Sequence, residues 1–308
     1  MVSHAPALRT VRARWERVGA YVALTKPRIV ELLLVTTLPT MVVAQRGLPS
    51  LWLIAATLVG GSLAAGGANA INMFVDRDID RLMHRTRNRP LVTGKVTPTS
   101  ALTFACVLEA VAFAELWRFV NLLSAVLAVS ATAFYVFVYT IWLKRRSPQN
   151  IVIGGAAGAV PVLVGWAAVT GTLSWAPVIL FAIIFVWTPP HFWALAVRYR
   201  DDYEAANVPM LPVVATPRRT ARDVLAYTVV LVAVSLLFAP VAHMGALYIT
   251  VASAFGAVYI ALAVRLKRLT RDDRDLGREA MRLFGYSITY LTVLFASMAA
   301  DVFVRRLH

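Results

Sequence analysis

An all-α, multi-pass membrane protein is what this 308-residue chain predicts. Three observations carry that reading. Hydrophobic residues make up 59% of the chain and charged residues only 15%, against roughly half and a quarter in soluble domains. Mean hydropathy is +0.68. Uncharged stretches also recur at the length a helix needs to cross a hydrocarbon core of about 30 Å.

Nine spans follow in order, at about 29–45, 51–75, 99–117, 120–142, 150–170, 175–197, 223–242, 244–264 and 282–301. Gly, Pro and charge punctuate the breaks between them. A basic leader precedes the first span, which reads as a retained anchor rather than a cleaved signal. Residues 1–19 are expected to form a flexible basic tail and 20–308 one intramembrane domain. Near the start of the first span Arg28 and Glu31 have the spacing of an i, i+3 ion pair. The second span carries Gly60, Gly61, Ser62, Ala64, Ala65, Gly66 and Gly67, a small-residue face suited to close helix packing. In the third, Cys106 reads as a small packing residue, and mid-span Glu109 requires a partner or a proton. Gly154, Gly155 and Gly158 in the fifth read as helix packing. Pro189 and Pro190 predict a kink in the sixth, just before His191. The run Arg265–Arg278 reads as a solvated loop.

All but four of the 31 Lys and Arg fall on one side of this arrangement, the exceptions being Arg46, Arg118, Arg305 and Arg306. The asymmetry predicts a cytoplasmic N-terminus, an odd number of spans and an external C-terminus. It also accounts for the net charge of +15 without nucleic acid, and makes membrane lipid the expected partner of the basic loops. A single cysteine excludes a disulfide framework and a cysteine-based zinc site.

The scarce acids are concentrated after the second and sixth spans. Asp76, Asp78, Asp80, Asp201, Asp202 and Glu204 are six of the 16 in the chain. Asn72, Asp76 and Asp80 stand at i, i+4 and i+8, so at ~100° per residue they form one column of a helix, each step rising ~6 Å. Asp78 points elsewhere. Two carboxylates and an amide suit Mg²⁺ that keeps water and phosphate ligands. An EF-hand is excluded, because Arg81 replaces the turn glycine and Arg87 the closing glutamate. Each acidic cluster precedes a similar phrase, PLVTGKVTP at 90–98 and PMLPVVATP at 209–217, which suggests two halves facing one cavity. Arg77, Arg81, Arg85, Arg87, Arg89, Lys95, Lys144, Arg198 and Arg200 flank the clusters. Acids, Mg²⁺ and this many cations suit a diphosphate. Nucleotide-binding glycine motifs are absent, so an isoprenoid diphosphate with its tail in the bundle fits best. A transporter with paired broken-helix motifs, and a non-catalytic scaffold, stay open at this point.

Asn72-x-x-x-Asp76-x-x-x-Asp80 resembles the first signature of the UbiA-type intramembrane prenyltransferases. Longer phrases are similar to the branch that farnesylates protohaem IX: TKPRIVELLLVTT, NMFVDRDIDRLMHRTRNRPLVTGKV, YTIWLKRRSPQNIVIGGAAGAVPVLVGWAA and HFWALAVRYRDDYEAANVPMLPVV. The likeness runs from about Leu24 to the last span. It implies nine helices around a central cavity beneath a cytoplasmic cap, in a bacterial-type inner membrane. The implied substrates are farnesyl diphosphate and protohaem IX, and the implied product is haem O; haem-modifying or oxidase-assembly proteins are implied partners. Asn72, Asp76 and Asp80 would hold Mg²⁺, with Asp201 and Asp202 as a second metal site. The usual second D-x-x-x-D signature has Arg198 in its first position and Asp202 in its second. Arg77, Arg89, Lys95, Lys144 and Arg198 would contact the diphosphate. Where the family has Y-x-x-x-K, this chain separates Tyr139 and Lys144 by five, with Thr140 at the four-residue spacing. Tyr139 and Trp142 would stabilise an allylic cation, with Trp193 a further candidate. His191, Trp193 and Arg85 would meet the haem, His191 as an iron ligand or as a histidine satisfying carbonyls freed by the prolines. The same fold acting on another aromatic or tetrapyrrole acceptor is the nearest alternative.

Overall fold

A computed structural model describes residues 5–270 and 276–306, with side chains for all of these except 5–14 and 28–34. Its helices are α1 (Ala5–Leu24), α2 (Pro27–Gln45), α3 (Leu51–Val75), α4 (Ile79–Leu82), α5 (Pro98–Phe119) and α6 (Leu122–Ala133). The last continues as a π-helical stretch, Phe134–Leu143. Then come α7 (Asn150–Thr170), α8 (Trp175–Arg198), α9 (Arg200–Ala205), α10 (Leu211–Val214), α11 (Pro217–Val241), α12 (Ala246–Leu269) and α13 (Leu276–Val304). No strand occurs among the described residues.

Among the described residues, eight helices are long and apolar enough to cross a bilayer: α3, α5, α6 with its π-helical continuation, α7, α8, α11, α12 and α13. The protein is an all-α multi-pass membrane protein. The first expected span forms as α2, and its Arg28 and Glu31 side chains lie outside the described residues. Helix α1 covers most of the segment expected as a flexible tail. Local chemistry sets several starts. Ser50, Thr97, Asn121 and Thr216 each accept a backbone N–H from three residues on, the arrangement that satisfies an exposed helix N-terminus. Thr97-Pro98 and Thr216-Pro217 are the threonine-proline pairs of the two repeated phrases. In both, threonine is the cap and proline the first helical residue, so the repeat is a helix-start signal used twice.

The long helices from α2 onward pack in chain order, α2 on α3, α3 on α5, α5 on α6, and so on to α12 on α13. Helix α13 then packs on α2 and closes the ring, while α2 also crosses to α7 and α8 to α13. Small residues permit the approach. A Cβ on Gly67 would lie 2.6 Å from Glu109 Oε1, and one on Gly165 would lie 3.0 Å from the Thr37 carbonyl. Glu109 finds its partner in Thr132, which donates from 3.1 Å. Cys106 faces outward instead of packing.

The perimeter is apolar. Val107, Val111, Val126, Phe137, Val230 and Leu237 are all exposed along helix middles, a surface suited to lipid rather than water. Trp52, Trp117 and Trp175 are exposed at one end of the bundle, and Trp15 and Trp142 towards the other, as interfacial aromatic belts require.

Helices α11 and α12 approach closely at Gly256, where a Cβ would lie 2.7 Å from Val232 Cγ1. Val232 is β-branched and buried, so it has little freedom to yield. Gly256→Leu should destabilise the protein by about 1–3 kcal/mol, read as a lowered thermal midpoint in detergent.

Candidate functional site

Helix α3 formally ends at Val75, yet its hydrogen bonding continues. Asp76 N donates to Asn72 O, and Asp80 N to Asp76 O, both at 2.9 Å. The expected column therefore survives the helix end and turns inward: Asn72, Asp76 and Asp80 are all buried, at 3%, 0% and 1% exposure. Asp78 is largely exposed and pairs at 2.7 Å with Arg145 outside the column. That guanidinium holds its carboxyl down at about 2.

Carboxylates this deep need partners. Lys144 donates to Asp76 Oδ2, and Arg89 lies 2.6 Å from Asp80 Oδ2. Asn72 donates to Asp76 Oδ2 at 2.8 Å and accepts from Lys26 Nζ at 2.8 Å. Lys26 precedes α2 with positive φ (51°). Burial, then Arg89 and Lys144, push its ammonium down to about 7, against the opposing pull of Asp76 and Asp80. One oxygen of each acid, Asp76 Oδ1 and Asp80 Oδ1, is buried without a hydrogen-bond partner. Arg145 Nη2 comes no nearer to the first than 3.7 Å.

The second acidic segment closes over the first. Asp202, in α9, accepts the backbone N–H groups of His84 and Arg85, each at 3.2 Å. Arg85 also reaches the Tyr203 hydroxyl at 3.5 Å. Two segments more than 110 residues apart thus form one cap.

Beneath the cap lies a cavity of about 820 Å³. Lys26, Asn72, Asp80, Arg85, Arg89 and Lys144 line its polar end; Ala64, Ala68, Val160, Val164 and Leu291 line its apolar depth. Between them stand Tyr135 and Tyr139, stacked with ring centroids 5.3 Å apart and planes 16° apart. The five-residue spacing of Tyr139 and Lys144 has a physical explanation. Lys144 N bonds Tyr139 O, and Thr140 Oγ1 bonds Tyr135 O, across i→i+5 turns. A π-helix absorbs one extra residue per turn, so both side chains still face the cavity. Glycine makes room for the tyrosine: a Cβ on Gly154 would lie 2.3 Å from its ring. The glycines expected only to pack helices instead shape the cavity wall.

Several expected site residues lie elsewhere, and none of them lines the cavity. Arg77 turns back on α3, donating to Phe74 O at 2.7 Å and covering the Phe74 ring. Lys95, Arg198 and Asp201 are exposed. Trp142 is 55% exposed on the outer surface, because the π-helix directs Tyr139 and Lys144 inward at its expense. Trp193 is buried edge-on against Tyr227. His191 Nδ1 lies 2.6 Å from Ser287 Oγ, with its ring stacked between Trp187 and Phe284. Its hydrogen-bond partner is thus a hydroxyl on α13, not a carbonyl freed by the prolines. Lys26, Tyr135, Trp187 and Tyr203 line the cavity without having been expected there. Tyr135, four residues before Tyr139, was the one accessible to a spacing argument.

The donor set fits a divalent cation in part. Among the described residues no cluster of three or more Asp, Glu, His or Cys could enclose one. The two unpartnered carboxylate oxygens suit an ion whose other ligands come from phosphate and water.

Comparison with known proteins adds the lineage. A model of the UbiA prenyltransferase family matches residues 33–288. A Frankia alni protein named protoheme IX farnesyltransferase is 57% identical over 94% of this chain and 99% of its own. A Streptomyces coelicolor protein of the same name is 51% identical over 98% and 96%. The fold is similar to a structure of digeranylgeranylglyceryl phosphate synthase, with TM-score 0.75 and 16% identity over 93% of this chain and 99% of that one. It is also similar to an Archaeoglobus fulgidus UbiA homologue bound to GPP and Mg²⁺, with TM-score 0.62 and 19% identity over 91% and 99%.

Asp202→Ala should free the loop at His84 and Arg85 without unfolding the membrane helices. Losing two bonds to a charged acceptor should cost about 1.5–3 kcal/mol locally. Hydrogen exchange at those two amides should accelerate about tenfold or more, with exchange in α12 unchanged.

Proposed function

The chain belongs to the UbiA prenyltransferase family and is a prenyltransferase, and from that premise we propose that it farnesylates protohaem IX to give haem O. The observation that carries the reading is the polar end of the cavity. Lys26, Arg85, Arg89 and Lys144 there outnumber the acids, while two carboxylate oxygens stay unpartnered. An anion that brings its own cation satisfies both demands, and a Mg²⁺–diphosphate is such a group.

Asn72, Asp76, Asp80 and the substrate oxygens would hold the metal, with Asp202 bracing the cap above them. Bound there, Mg²⁺ supplies neutralisation of negative charge on the leaving diphosphate. Lys26, Arg89 and Lys144 bind the outer phosphate oxygens and hold the leaving group at the cavity mouth. The allylic C–O bond breaks and its electron pair departs with the diphosphate. Tyr135 and Tyr139 present electron-rich faces to the farnesyl cation. The apolar wall excludes water until the vinyl π pair of protohaem has formed the new C–C bond. Water then adds to the resulting cation and releases a proton, leaving the hydroxyl. Arg85, exposed at the mouth, is the propionate partner; His191, stacked on Trp187 and Phe284 and outside the cavity lining, serves the fold rather than the haem iron in this reading. The charge asymmetry of the loops supports a cytoplasmic N-terminus, with one domain from about residue 20 whose cap faces the cytoplasm across a bacterial-type inner membrane.

The test incubates purified protein with farnesyl diphosphate, protohaem and Mg²⁺, and analyses the porphyrin by mass. Haem O should form, and chelation should abolish it. Asp76→Ala and Asp80→Ala should each lower the rate at least about a hundredfold while the protein stays folded. Wild-type haem O formation by either variant would refute the site, and prenylation of some other acceptor would refute the substrate.

Two further outcomes follow from the cavity. Gly158 lines it, and a Cβ there meets nothing within 4 Å. Gly158→Leu should fold normally and lower turnover of farnesyl diphosphate more than of the shorter geranyl diphosphate. His191→Ala should leave the absorption spectrum of bound protohaem unchanged.

A further inference from the structure

A second cavity, of about 710 Å³, lies at the opposite end of the bundle, where α2, α11 and α13 end and α8 begins. Arg46, His243, Arg305 and Arg306 line it, with Trp166 and Trp175. We infer that this cavity binds the headgroup of an anionic phospholipid in the leaflet opposite the catalytic cap.

Three observations point to it. The first is charge placement. The loops at this end carry only four Lys and Arg, and three of the four converge on this one cavity. Among the described residues, Arg46, Arg305 and Arg306 have no carboxylate partner. The nearby buried acid, Asp301, is committed to α12, accepting from Gly245 N at 2.5 Å and Tyr248 N at 3.2 Å.

The second is backbone strain. Only four non-glycine residues among those described have positive φ, and two of them are Arg46 (54°) and His243 (52°). Both follow helix ends, where glycine adopts this conformation without cost. The chain instead places there two side chains that line the cavity, at the expense of local strain. A merely electrostatic contact with a helix C-terminus would not require the strained position itself to bear the charge. Gly47 follows, and its missing Cβ lets the Arg306 guanidinium lie against α2; a Cβ would come within 2.6 Å.

The third is the mixture of surfaces. Arginine forks match phosphate oxygens in pairs. Val43 and Val302 form an apolar side, and Trp175 is 76% exposed at the rim, as a tryptophan at headgroup depth is. The volume exceeds what bare phosphate needs, and an acyl chain beginning along Val43 and Val302 fills the remainder. A porphyrin dicarboxylate shares the anionic, apolar character, but headgroup depth and the tryptophan rim favour lipid.

The test measures the thermal midpoint of detergent-purified protein with added phosphatidylglycerol, phosphatidylcholine or mesoporphyrin. Phosphatidylglycerol should raise the midpoint and phosphatidylcholine should not. Native mass spectrometry should show phosphatidylglycerol retained at least about tenfold better. The triple variant R46Q/R305Q/R306Q should lose that preference, and the triple lysine variant should keep most of it. Arg46→Gly and His243→Gly separate binding from folding. Relieved of strain, each should match or exceed the wild type without lipid, yet gain less from phosphatidylglycerol. Equal retention of the two lipids would overturn the inference. So would a preference unchanged in the glutamine variant, or stabilisation by mesoporphyrin alone that the arginines control.

Discussion

Two carboxylates, Asp76 and Asp80, lie fully buried at the end of an apolar bundle, and the arrangement around them follows from that one constraint. A charge in such surroundings is tolerated only if paired and hydrogen-bonded. Lys144 and Arg89 supply the pairing, while Asn72 bridges Asp76 to Lys26. The compensation is deliberately uneven in its chemistry: positive groups exceed acids, while one oxygen of each acid stays unpartnered. Such a site is satisfied within itself only in part.

The architecture places this polar cluster at a boundary. Beneath it the ring of helices encloses apolar space, made by Gly154, Gly155 and Gly158 where larger residues would fill it. Above it the two cap segments are joined through Asp202 and the backbone of His84 and Arg85. Polar and apolar surroundings therefore adjoin within one cavity. The π-helical stretch contributes to both, since it presents Tyr139 and Lys144 to the cavity across one i→i+5 turn.

The two ends of the bundle treat charge in different ways. At the cap, half-buried cations meet fully buried acids, and the low-dielectric surroundings of the acids make each interaction stronger. At the far end Arg46, Arg305 and Arg306 are exposed, converge on one recess and find no acid among the described residues. Strained backbone occurs at both, at Lys26 by the cap and at Arg46 and His243 opposite, so in each case conformation yields to side-chain placement.

The sequence by itself determined the helical membrane class, where most of its long helices fall and the acid column. A bilayer demands long uncharged runs, and a four-residue spacing repeats the helical turn whatever the helix packs against. It also determined that PLVTGKVTP and PMLPVVATP play equivalent parts, because a threonine cap before proline is local chemistry. Only the tertiary structure decided which cations serve the column. Lys26 pairs with Asn72 from 46 residues away, whereas Arg77, beside Asp76 in sequence, folds back on Phe74. It likewise turned Trp142 outward through a π-helix that no single-residue propensity encodes, and gave His191 a partner 96 residues distant in Ser287. Spacing reports direction only along one element; which groups meet across elements depends on how the helices close, and that is a property of the packed bundle.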